Sequence, residues 1–194
     1  MYIKHISFVL FALFAVLVGV GWQQLQAEET AVSSSPKTLR FDVAEAGNRF
    51  VFDEAPVFED GMSAYGNSFI TEGYLYPAGT LGESNGVLPN GEPEFPDLVL
   101  GKWVCRGYFV GNGAYTETGA WVVTPQIFDL GQIAGTETIT TEGFELSDIG
   151  VTGYRAITGG TSDYSRARGQ MSQVLTGFNE TMGVNLQVEL NVNK

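Results

Sequence analysis

The chain has 194 residues, with 22 acidic against 10 basic side chains and a net charge of −12. That charge argues against nucleic acid and against anionic membrane surfaces as partners. A single cysteine, Cys105, excludes an intramolecular disulfide. The one histidine, His5, leaves the body of the chain without imidazole for triads, most zinc sites or acid–base catalysis.

Met1 to Lys4 carries one cation, Ile6 to Trp22 is almost wholly apolar, and a polar stretch ends at the small residue Ala27. This order predicts a signal peptide over residues 1–27 and an exported protein, periplasmic or secreted. Left uncleaved, the same run would be a membrane anchor, because it approaches the ~17 residues that span a bilayer. Residues 28–38, which contain EETAVSSSPK, are polar and predict a disordered tether. Residues 39–194 then make one domain of ordinary size, able to bury a core.

From Leu39 onward the sequence runs in short stretches of period-two alternation broken by Gly, Pro and Asn. Strands are predicted at residues 49–54, 67–76, 101–111, 115–128, 136–141, 154–158, 168–175 and 183–192. In the last of these, Val184, Leu186, Val188, Leu190 and Val192 share one face and Asn185, Gln187, Glu189 and Asn191 the other. A helix would smear those aliphatics around its circumference. About eight strands and no helical pattern predict an all-β barrel or sandwich. Pro77 to Leu98 is rich in turn residues and too long for a simple hairpin; such a loop covers a site or is an insertion. Asn179-Glu180-Thr181 is a glycosylation sequon in a turn.

Two of these strands hold candidate site residues. On 101–111, Lys102 and Arg106 mark the solvent side, so Trp103, Cys105 and Phe109 face inward, as pocket walls or as plain core. On 49–54, either Asp53 or Glu54 can face inward, and alternation does not choose between them. A buried lone carboxylate there would have a raised pKa suited to proton transfer.

The stretch Tyr154–Val174, YRAITGGTSDYSRARGQMSQV, has glycines that a phosphate loop would use. It continues as strand rather than helix and lacks the Lys-Ser/Thr ending of a P-loop, so a turn between antiparallel strands is the better reading. GGTSDYSRARG, residues 159–169, resembles the dirigent motif Gly-Gly-Thr-Gly, any residue, Phe, two positions, Ala-Arg-Gly. It is similar too to a glycine-rich hairpin of allene oxide cyclases, as are Leu130–Thr141 and Gly101–Cys105 to cyclase strands. Ser162 departs from the pattern where a third glycine is usual. The resemblance implies an eight-stranded antiparallel β-barrel with an apolar pocket, a homotrimer, and no metal or organic cofactor. It implies Arg168 and Asp163 as catalytic candidates, one to stabilise oxyanion charge and one as acid or base. The structural alternative is an arginine strap and a turn-capping aspartate. It also implies a first-strand glutamate, matched by Asp53 or Glu54, and adds Tyr164, at the motif's aromatic position, to the pocket. The expected function is an isomerase-like cyclase or dirigent-type coupling of a small apolar or amphipathic ligand in the lumen. A non-catalytic binding or structural barrel, and an outer-membrane barrel, are the competing expectations.

Overall fold

A computed structural model describes residues 36–193 except 55, 56, 58, 60, 62 and 112–118. The expected signal peptide, residues 28–35 of the tether and the start of the strand expected at 115–128 lie outside the described residues. Nine strands follow in order: β1 Lys37–Glu45, β2 Val51–Phe52, β3 Ser68–Pro77, β4 Gly101–Phe109, β5 Ala120–Asp129, β6 Thr138–Leu146, β7 Thr152–Gly160, β8 Arg168–Phe178 and β9 Val184–Asn193. All pairings between them are antiparallel, and β1 pairs with both β9 and β3. That double pairing closes eight strands into a barrel, and short β2 pairs with the next stretch of β3 beyond the residues that β1 takes.

The alternation expected of β9 is the one found: Leu186, Val188, Leu190 and Val192 are buried in the lumen, and Gln187 and Asn191 face out. This is the reverse of a lipid-facing strand. On β4, Trp103, Cys105 and Phe109 point in and Lys102, Arg106 and Tyr108 out, as expected.

The first strand corrects the sequence reading. It is Lys37–Glu45, which takes in the last residues of the expected tether, whereas 49–54 contributes only the two residues of β2. β1 hides from a pattern search because its first residues are polar and exposed and its last five are buried on both faces. The outer face is covered by the long loop after β3. Leu81, Val87, Phe95 and Val99 pack there on Ala44, Ala46, Tyr74 and Tyr76. Tyr76 donates its hydroxyl to Gly86 O at 2.6 Å, Tyr74 to Gly91 O at 2.9 Å, and Leu81 N–H binds Asp42 Oδ2 at 2.9 Å. The two phenols are therefore buried with their hydrogen bonds made, and Asp42 is bonded through Oδ2 while its Oδ1 is left without a partner. The loop is an ordered outer layer that seals β1 to β3.

The turn between β8 and β9 docks on the end of β1. Asn179 is buried, its Nδ2 donating to Glu45 O at 2.8 Å and to Asn185 Oδ1 at 3.2 Å. Thr181 donates its hydroxyl to Asn179 Oδ1 at 2.6 Å and accepts Gly47 N–H at 2.8 Å. A Cβ on Gly47 would sit 2.1 Å from Thr181 O, so only glycine lets the two segments meet. In the folded barrel the sequon is structural.

Gly159 and Gly160 do not form the expected tight turn. They end β7 beside an irregularity in its pairing with β6, and residues 161–167 make a wider connection containing a short 3-10 turn, Ser162–Tyr164. Ser162 takes φ 51°, the left-handed conformation its usual glycine would adopt more easily. Ser162→Gly should therefore raise stability by about 0.5 kcal/mol, strain relief exceeding the entropy of the added glycine. Urea unfolding reads the change, and a clear loss of stability would contradict the strain.

Candidate functional site

Alternate residues of each strand face the lumen, which an eight-stranded barrel can fill with side chains or leave open for one small molecule. This barrel does both. Where β1 begins and β9 finishes, Phe128, Ile139, Met171, Leu190 and Val192 pack the interior. Where β1 finishes at Glu45 and β4 at Phe109, a cavity of about 340 Å³ remains.

Its walls are aromatic. Phe52 lies 5.6 Å from Phe50, Phe50 stacks on Phe69 at 5.3 Å, Phe69 meets Phe109 at 5.2 Å, and Phe109 meets Trp121 edge-on at 6.0 Å, all between ring centroids. All five rings line the cavity, with Trp103 below them and Phe178 and Met182 also on its wall. Short β2 and the 3-10 turn Gly47–Arg49 carry Phe50 and Phe52 to this end. No Lys or Arg among the described residues lines it.

Its floor is polar. Glu145 Oε1 accepts hydrogen bonds from Thr124 Oγ1 at 2.7 Å, Gln126 Nε2 at 2.8 Å and Cys105 Sγ at 3.4 Å. Arg155, fully buried on β7, lies 3.4 Å from the same oxygen. Its other donors reach Thr124 O at 2.5 Å, Thr124 Oγ1 at 2.8 Å and Thr141 Oγ1 at 3.3 Å. Gln126 joins the group to Gln173 at 2.9 Å. Gly143 gives the arginine its room, since a Cβ there would stand 3.2 Å from Arg155 Cγ. Burial lowers the Arg155 pKa, and Glu145 is the largest influence opposing that. Burial, with Glu145 adding to it, raises the Cys105 pKa well above its usual value, so the thiol stays protonated and weakly nucleophilic.

The second carboxylate is different. Glu45, the last residue of β1, is buried and accepts Val184 N–H through Oε2 at 2.6 Å. Burial pushes its pKa up to about 6 and Glu145 adds to the rise, while the Thr71 hydroxyl and the Val184 N–H hold it back. The Thr71 hydroxyl meets no partner in hydrogen-bonding geometry, so its influence is that of a neighbouring dipole. The Trp103 indole N–H is also buried without a partner. A carboxyl titrating near 6 in an apolar cavity can give or take a proton near neutral pH.

The expected site residues divide. Trp103, Cys105 and Phe109 line the cavity. Asp53 and Glu54 are exposed and outside it; Asp53 instead accepts the Ser68 hydroxyl at 2.6 Å, fastening β2 to β3. Arg168 lies at the opposite end of the barrel, exposed, donating to Thr158 O and Ala167 O at 2.7 Å each. Asp163 is exposed in the same connection. Tyr164 is buried beside them in the packed half, its hydroxyl 3.0 Å from Lys37 Nζ. Glu45, Glu145 and Arg155 were not anticipated. For Arg155 the signal was present, because alternation places it on the face of Ile157. Among the described residues no group of three or more ligating side chains is arranged to hold a metal.

Neither a family model nor a curated protein sequence matches the chain. Solved structures do. A pyocyanin demethylase aligns at 15% identity and TM-score 0.51, covering 80% of this chain and 99% of its own. A pterocarpan synthase dirigent protein aligns at 17% identity and TM-score 0.51, covering 81% and 84%. An exo-specific intermolecular Diels-Alderase aligns at 15% identity and TM-score 0.43, covering 83% and 100%. The first two likenesses, at such identities, are of fold alone, and neither singles out an allene oxide cyclase.

Removing Arg155 alone would strand Glu145 beside a desolvated gap. Arg155→Ala should cost about 3 kcal/mol in urea unfolding, and the pair Arg155→Met with Glu145→Leu should recover most of it. Equal losses in both variants would show that the pairing is not what matters. Glu45 gives a pH signature. A pKa raised from 4.5 to about 6 adds stability that is complete below the ordinary value and lost as pH rises through 6. The wild type should lose ~2 kcal/mol across that window relative to Glu45→Gln. Parallel pH profiles for the two proteins would refute the shift.

Proposed function

We propose that the protein binds a small, largely apolar molecule in the half-open lumen and guides its rearrangement, a cyclisation or a stereoselective coupling. The observation that carries this reading is the aromatic cavity of about 340 Å³ with Glu45 set into its wall. The pocket acts through shape, holding a reactive species in one conformer. Glu45 supplies the proton transfer, and the unpartnered Trp103 N–H suits an acceptor atom on the same molecule. The apolar N-terminal run supports an exported protein. The fold shared with a dirigent protein is compatible with such chemistry and does not by itself assign it.

One observation favours a second reading, binding without turnover. The arginine and aspartate that the dirigent motif implies as reactive, Arg168 and Asp163, stand at the far end from the cavity. Catalysis therefore rests on Glu45 alone.

The test is a thermal-shift screen of small aromatic and alicyclic compounds against the wild type and Val122→Phe, which narrows the cavity. A ligand at 100 times its Kd should add about 2.7 kcal/mol to the wild type and less to the variant. Hits are then incubated and their products separated. Conversion that stops in Glu45→Gln while binding persists supports the cyclase or coupling reading. Binding without conversion supports a carrier, and no hit across the panel removes both.

A further inference from the structure

A buried charge in a folded protein is normally paired or bound to a metal. Glu145 meets that rule through Arg155, at 3.4 Å. Glu45 does not. Its hydrogen bond comes from the neutral Val184 N–H, and the charged group that acts on it most is a second carboxylate, Glu145. The missing counter-charge has a place to sit, since Glu45 opens onto the cavity and no basic side chain among the described residues does.

The walls suit the same occupant. Five rings, Phe52, Phe50, Phe69, Phe109 and Trp121, touch in sequence around the cavity. Aromatic faces attract cations, most strongly when both are desolvated. A carboxylate of the ligand would meet two protein carboxylates and no cation. The chain's net charge of −12 also draws cations toward the mouth.

We infer that the cavity takes a flat organic cation, such as an N-alkylated or protonated aromatic heterocycle, with Glu45 as its counter-ion. This assignment of ligand class rests on reading the cavity as a ligand site. Binding is linked to the charge on Glu45. The titratable groups facing Glu45 are Glu145 from β6 and Cys105 from β4. β3 presents Thr71, and β9 with its turn presents Val184 and Thr181, none of which titrates. Arg155 of β7 stands behind Glu145.

Three probes of nearly one shape separate the outcomes: N-methylquinolinium, neutral 1-methylnaphthalene and anionic 1-naphthoate, titrated by calorimetry into the whole protein. At about pH 8 the cation should bind about thirtyfold tighter than the neutral isostere, and the anion more weakly than either. The advantage should shrink toward about pH 5, where Glu45 is protonated, and in Glu45→Gln should fall to the smaller, pH-independent preference that the rings supply. If Glu45→Gln does not fold, the wild-type pH series decides alone. Naphthoate binding as tightly as the cation, or a cation preference that ignores both pH and Glu45→Gln, overturns the inference and leaves the cavity a ligand site. Failure of all three to bind removes the site and the inference together.

Discussion

Closure of the sheet by β1 is the constraint on which the other features depend. One strand of nine residues makes two ladders, to β9 and to β3, and so eliminates the free edges that an open sheet would expose. Its first half is largely polar and exposed, with Lys37, Thr38 and Arg40, and Asp42 and Glu45 are buried among the apolar residues of its second half. Other parts of the chain hold it. The loop after β3 seals its outer face through Tyr74, Tyr76 and Asp42, and the Asn179–Thr181 turn locks its end. The same turn fixes the backbone of Glu45 and so aims the carboxylate. Closing the barrel and placing the acid are one structural act.

The middle of the lumen departs from the usual rule of apolar inside and polar outside. On β6, Glu145 points in and Phe144 out; on β7, Arg155 points in and Tyr154 out. Desolvating an ion pair is rarely a gain in stability over aliphatic packing. The inward pair instead ends the packed half of the barrel with a hydrogen-bonded layer spanning β5, β6, β7 and β8. That layer forms the polar floor on which the cavity stands.

Much of the architecture was legible. β9 and β4 show clean alternation because each has one solvent face and one lumen face, so Trp103, Cys105 and Phe109 could be placed correctly. β1 could not be read, since a covering loop buried both its faces and erased the period. The sequence pattern accordingly points to Asp53 or Glu54, eight or nine residues after the carboxylate that faces inward, Glu45. The strand expected at 136–141 ends short of Glu145, whereas β6 runs on to Leu146. The antiparallel barrel that the likeness of 159–169 implies is found, but Gly159 and Gly160 do not make the tight turn expected there. The motif's residues serve the sealed end here: Tyr164 plugs the core, and Arg168 ties the β7–β8 connection to its own carbonyls.

The packing at that sealed end has a kinetic consequence. With the lumen filled beyond the Glu145 layer, a molecule bound as proposed would enter and leave from the cavity's own end of the barrel, where Phe50, Phe52, Phe178 and Met182 line the wall. A departing molecule and an arriving one exclude each other, so occupancy is strictly sequential. Under the proposed function, a product resembling what entered would compete with it for the same route as well as for the pocket. If the barrel turns its ligand over as proposed, the rate would be set by how quickly it empties.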